Sequence, residues 1–149
     1  MPQAVLLFNG IYYSFTAESR AFSWAQKTGG SIEAIFLKAK NEEDEGYGFP
    51  SDLDAAENLY TDKDAENEDE QIIRNHMNMI ERDAASEQIT LNTSLLIDIP
   101  MSELIAKCSG ADMVFIPRKL GRKDLLCIDI DIAQFTKNLK EPFEIVEEN

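Results

Sequence analysis

The stretch MVFIPRKLGRKDLL, Met113 to Leu126, decides how the chain is read. Met113, Val114, Phe115 and Ile116 are four apolar residues in a row. A run with no polar residue to mark a wet face fits a strand buried on both faces of a parallel sheet. Pro117 breaks the run into a loop with Arg118, Lys119, Arg122 and Lys123, and with one glycine, Gly121. A strand that empties into a loop ahead of a helix is where many α/β proteins hold phosphate. The stretch therefore poses a choice between a phosphate site, the remnant of one and a solvated connection.

Upstream, the same logic repeats. Ala4–Phe8 is a short apolar run that ends at Asn9-Gly10, a turn signal. From about Thr16 to Thr28, Ala17, Ala21, Trp24 and Ala25 recur at helical spacing, and Gly29-Gly30 ends the pattern. Ser31–Leu37 reads as a second strand. Asn41 to about Asp64 has no clear period and reads as a long loop with at most a short helical turn, an insertion spanning about residues 41–65. A helix is expected to resume near Glu66, with Ile72, Ile73, Met77, Ile80 and Ala84 as its apolar stripe. Ile89–Ile97 is a third strand. Pro100 opens a helix with Leu104, Ile105 and Cys108 on its buried face, and Gly110 stops it. Downstream of the quoted stretch, Ile132, Phe135 and Leu139 mark a last helix, N-capped by Asp129 or Asp131. Pro142–Val146 is a fifth strand. Strand and helix alternate over 149 residues with no repeat, which predicts a single α/β domain over 1–149 with a parallel sheet and helices on both faces.

The formal net charge is −14. Such a balance opposes binding to nucleic acid or to an anionic membrane, since both reward positive charge. The acidity is local: Asn41–Glu70 holds thirteen Asp or Glu and one Lys, and the remainder of the chain is nearly neutral. Two distant cysteines, Cys108 and Cys127, predict free thiols in a reducing compartment. No basic-then-apolar leader opens the sequence and no run approaches a membrane span, so the expectation is a cytoplasmic protein.

The order of elements resembles the universal stress protein family over nearly the whole chain. AFSWAQKTGGSIEAIFL (residues 21–37) resembles the family's opening helix and second strand. IPMSELIAKCSGADMVFIPRK (residues 99–119) resembles its stretch in which a proline begins a helix and Gly-Ala-Asp leads into the fourth strand. EPFEIV (residues 141–146) resembles its closing strand. The resemblance implies a Rossmann-like, adenine nucleotide alpha hydrolase-like fold with strand order 3-2-1-4-5 and four helices. It also implies a homodimer through the last strand, by way of Phe143, Ile145 and Val146.

In nucleotide-binding members of that family an Asp closes the first strand and contacts adenosine. Asn9 holds that place here. The family's fourth strand ends in Gly, two residues, Gly, nine residues, Gly, then Ser or Thr. With the first glycine at Pro117, the second falls at Leu120 and the last pair near Ile130 and Asp131. None of the three glycines is present. A phosphate cradle needs backbone N–H groups turned inward, which glycine permits and proline, having no N–H, cannot supply.

The expected cleft residues are Asn9, Gly10, Pro117, Arg118, Lys119, Gly121 and Arg122. The basic ones are candidates to hold an anion or to receive the acidic Asn41–Glu70 segment. A calcium loop starting at Asp62 is excluded, because its sixth and twelfth places hold Asn67 and Ile73. A lone His76 and two scattered cysteines build neither a common zinc site nor a Cys-His pair, so no metal ligand and no catalytic residue is expected. A phosphorelay receiver would need an acidic pair where Asn9-Gly10 stands. The reading is a stress-response regulatory or binding domain that acts as a homodimer and lacks the family's ATP site. The alternative is an adenine nucleotide binder with slow phosphohydrolase activity through a diverged loop.

Overall fold

The structure, a computed structural model, describes residues 1–40, 53–123 and 126–147, with the backbone alone over 53–67. Five strands form one all-parallel sheet: β1 (Gln3–Asn9), β2 (Ser31–Lys38), β3 (Leu91–Ile97), β4 (Met113–Pro117) and β5 (Phe143–Val146), in the order β3-β2-β1-β4-β5. The helices are α1 (Phe15–Thr28), α2 (Leu53–Ser86), α3 (Met101–Lys107) and α4 (Ile132–Asn138). A single 3-10 turn, Arg118–Gly121, follows β4.

Strand alternation splits the core into two layers. Ala4, Leu6, Phe8, Ile32, Ala34, Phe36 and Phe115 face α1 and α2, where Ala17, Ala21, Ile73 and Ile80 meet them. Val5, Leu7, Ile35, Leu37, Val114 and Ile116 face α3 and α4, where Leu104, Cys108 and Phe135 meet them. The alanines of α1 keep that helix close to the sheet, as their spacing predicts. Ser14 caps α1 by accepting from Ala17 N–H at 3.0 Å, and Gly29 closes it by donating to Ala25 O at 2.8 Å.

Three details correct the sequence reading. The helix expected near Glu66 begins at Leu53, so residues 53–65 of the expected loop are helical; residues 41–52 lie outside the described residues. The apolar stripe of α2 runs through Ile73, Met77, Ile80 and Ala84, spaced by four, three and four. Ile72 lies one step, about 100°, to the side, and is 40% exposed. The third strand starts at Leu91 rather than Ile89, because Gln88 adopts φ 61° and Ile89 N–H turns back to Ala84 O at 2.8 Å. Of the two candidate caps for α4, Asp131 serves, accepting from Gln134 N–H at 3.2 Å.

Candidate functional site

The strand order reverses at β1, whose neighbours β2 and β4 connect to opposite sides of the sheet. Ligands of such sheets sit outside the carboxyl ends of the strands at this point. Asn9 ends β1 there and is 4% exposed. Gly10 follows with φ 70°, a left-handed turn that glycine adopts without penalty, and donates to Leu37 O at 2.8 Å.

The carboxamide of Asn9 is fully engaged by the chain itself. Its Nδ2 donates to Leu120 O at 2.8 Å and to Ile128 O at 2.9 Å. Its Oδ1 accepts from Ile128 N–H at 2.9 Å. Around it, Ala39 N–H donates to Leu126 O at 2.7 Å and the Cys127 thiol donates to Asn9 O at 3.4 Å. Residues 126–128 therefore lie across the carboxyl ends of β1 and β2. Leu126 holds φ 68° to do so, with its side chain buried in the α1/α2 layer. Leu120 and Ile130 fill the other layer beneath the strap.

Pro117 is the last residue of β4, buried, and opens the 3-10 turn. Gly121 has a packing role: a Cβ there would stand 3.0 Å from Ile130 O. The basic residues of the turn separate. The Arg118 guanidinium pairs with Glu147, Nε reaching Oε1 at 2.9 Å. This contact holds the Glu147 carboxyl below its usual range and the Arg118 guanidinium above its own. Lys119 Nζ and the Arg122 guanidinium carbon lie 5.1 Å and 5.2 Å from the Tyr12 ring centroid, at cation–π distance. Thus Asn9, Gly10, Pro117 and Gly121 converge on the strap, whereas Arg118, Lys119 and Arg122 engage Glu147 and Tyr12.

Three features escaped the sequence reading. Lys38, the last residue of β2, is 2% exposed, with its amine 3.7 Å from Glu70 of α2. So one residue of the acidic segment meets a lysine at the strand ends. The Tyr13 ring stacks on Phe8 (centroids 4.7 Å apart) and lies 5.0 Å from His76. His76 is thereby a helix-face residue packed on a ring, and partial burial lowers its pKa. The Tyr13 hydroxyl donates to Glu18 Oε1 at 2.6 Å, and burial raises the Tyr13 pKa above its usual range. No sequence signal marks Lys38, since the residue type is ordinarily on the surface.

At the far edge, Phe143 of β5 is 41% exposed, Ile145 packs partly on the α3/α4 layer and Val146 is buried in the α1/α2 layer. Glu144 pairs with Arg20 of α1 at 2.7 Å. Cys108 is buried and in no disulfide, its thiol pushed up to about 12 by burial, with Glu141 adding to the shift; Cys127 is half-buried and likewise in no disulfide. Among the described residues no helix is long and apolar enough to cross a membrane, and no group of three His, Cys, Asp or Glu is placed to hold a metal.

No protein-family model matches the chain, and no curated protein does. Solved structures do match over nearly full length. A hypothetical protein whose biochemical function was assigned from its structure is 15% identical, with a TM-score of 0.63 over 100% of this chain and 98% of its own. A universal stress protein family protein from Arabidopsis thaliana with AMP bound is 12% identical, with a TM-score of 0.57 over 99% of this chain and 93% of its own. The universal stress protein from Archaeoglobus fulgidus in complex with dAMP is 14% identical, with a TM-score of 0.53 over 98% and 97%. With its 3-2-1-4-5 parallel sheet flanked by helices, this chain has the fold of the universal stress proteins.

Proposed function

We propose that the chain is a regulatory or binding domain of universal stress protein type whose switch-point crevice is occupied by its own residues. The observation that carries this reading is the Asn9 carboxamide. Both its N–H donors and its oxygen are taken up by Leu120 and Ile128, in the place where nucleotide-binding members of the family offer an aspartate. The absence of the three loop glycines points the same way. So does the burial of Leu120, Leu126 and Ile130, since a nucleotide there would have to displace apolar side chains from the core. The domain works as a homodimer through β5, in the reducing cytoplasm that its unbridged thiols suit, as part of a stress response.

Calorimetry with ATP and Mg²⁺ at low salt tests the reading, and the expected result is no tight binding. A micromolar dissociation constant would overturn it. That outcome would promote the second reading, an adenine nucleotide binder with slow phosphohydrolase activity. The similar structures bound to AMP, cAMP and dAMP favour that second reading. A thermal shift gives an independent check, because a ligand at 100 times its dissociation constant adds about 2.7 kcal/mol.

A further inference from the structure

The two edges of the sheet differ. β5 is four residues long, and its Glu144 is tied to Arg20. β3, at the opposite edge, is seven residues long, LNTSLLI, with no charged residue and no proline. Edge strands are ordinarily blunted by shortness, by charge or by proline, because their free backbone groups invite another strand. β3 has none of these devices along its length, and its last residue, Ile97, is 48% exposed.

The direction of its backbone groups can be read from its ends. Thr90 O accepts from Ile32 N–H at 2.9 Å and Asp98 N–H donates to Lys38 O at 2.9 Å. In a parallel ladder alternate residues send both groups to the same neighbour. The even-numbered residues therefore serve β2, and Leu91, Thr93, Leu95 and Ile97 turn their N–H and C=O groups outward. No described strand pairs with that side.

Carboxylates flank the strip on both faces of the sheet. On the α2 side Glu81 accepts from the Thr93 hydroxyl at 2.6 Å. On the other side Glu33 accepts from the Ser94 hydroxyl at 3.4 Å, with Lys107 the cation that acts on it. Asp98 stands at the carboxyl end, accepting from Lys40 N–H at 2.8 Å. α2 packs beside β3 and presents Glu81 to it. Two copies meeting edge to edge would bring the same carboxylates together on chains of net charge −14. The charge thus selects against a second copy and for a cationic occupant.

We propose that the outer edge of β3 is a docking strip for an extended, basic segment of a partner protein, which adds to the sheet as a further strand. Main-chain hydrogen bonds to Leu91, Thr93, Leu95 and Ile97 supply the affinity. Lys or Arg at alternate positions on the incoming strand meet Glu81 on one face or Glu33 on the other. The proposal stands whether or not the switch point takes a nucleotide.

The test uses a labelled peptide of about nine residues that alternates Lys with Thr and Val, a second with Glu in place of Lys, and a third with alternate amides N-methylated. Binding is read by fluorescence anisotropy at moderate salt. Thr93→Pro removes one outward N–H and no β2–β3 bond; Thr93→Val keeps the N–H and loses the hydroxyl. The Lys peptide is expected to bind the wild type and Thr93→Val. Its affinity should fall at least about tenfold on Thr93→Pro, and both other peptides should bind at least as poorly. Equal binding of the N-methylated peptide would overturn strand addition without any variant, so a failure of Thr93→Pro to fold does not rescue the proposal. Absence of binding by the Lys peptide, or a wild-type dimer abolished by Thr93→Pro, would also overturn it, the latter in favour of a second copy.

Discussion

The carboxamide of Asn9 offers two N–H groups to the carbonyls of Leu120 and Ile128 and one oxygen to the Ile128 N–H. An aspartate of the same shape keeps the acceptor and loses both donors. It would also aim a buried negative charge at two carbonyl oxygens. Asn9→Asp is therefore expected to destabilise the protein by about 2–4 kcal/mol, from orphaned buried acceptors and an unpaired charge. Urea unfolding measures this, and a loss under about 0.5 kcal/mol would show that the strap is held by other contacts. Glu18 offers a second test at this scale. Burial raises its pKa first; the Tyr13 hydroxyl opposes the shift, and Asp83 and Glu87 add to it. A raised carboxyl pKa means that the folded state binds the proton more tightly. Its share of stability is fully present below the unfolded value and is lost as pH rises through the folded value. The wild type should thus gain more stability than Glu18→Gln as pH falls from neutrality toward the ordinary Glu range. Parallel stability curves for the two proteins would remove Glu18 from the account.

The elements whose apolar period is unbroken were legible in the sequence: β1, β2 and β4 as continuous runs, α1 by its alanines, α4 by Ile132 and Phe135. The start of α2 was not, because half of the apolar residues in 53–65 are small alanines and acidic residues interrupt the rest, so no clear apolar stripe stands out there. Their three alanines are good helix formers, and that propensity was the signal available where periodicity gave none. The strap over the switch point was illegible for another reason. It is held by backbone carbonyls meeting one side chain more than a hundred positions away, and a carbonyl has no letter in the sequence. What the sequence did expose was the lack of loop glycines, which is the other half of the same fact. Within α2, neighbouring isoleucines make a controlled comparison. Ile73→Ala should cost about 2–5 kcal/mol, since its side chain is fully buried against the sheet. Ile72→Ala should stay within about 0.5 kcal/mol, as that side chain faces solvent. Equal losses in chemical denaturation would place the buried face of α2 elsewhere.

At the scale of the molecule, charge and edges decide what the fold meets. The excess of −14 is concentrated in residues 41–70, which lead into and form much of α2 and end at Glu70 beside Lys38. At the β3 edge stand the carboxylates of Glu81, Glu33 and Asp98. On the β5 side Arg20 and Arg118 pair with Glu144 and Glu147, so those two carboxylates are already matched within the chain. Of the two edges, β5 is thus the one that a second copy approaches with less repulsion. Four edge residues supply few ladder bonds, so a symmetric seam there rests on side chains. Val146 is buried inside the protomer and Ile145 is partly so, which leaves Phe143 as the large apolar group to be covered. A two-fold axis through β5 would place the two copies of Phe143 in one isologous patch. Phe143→Lys puts two like charges into that patch and removes its apolar area, while touching less of the protomer core than a change at Ile145. Light scattering at micromolar concentration should report a dimer for the wild type and a monomer for Phe143→Lys, with an unchanged circular dichroism spectrum. Thr93→Pro, on the opposite edge, should remain dimeric. A wild type that is already monomeric, or a Phe143→Lys protein that still pairs, would show that β5 is not the seam.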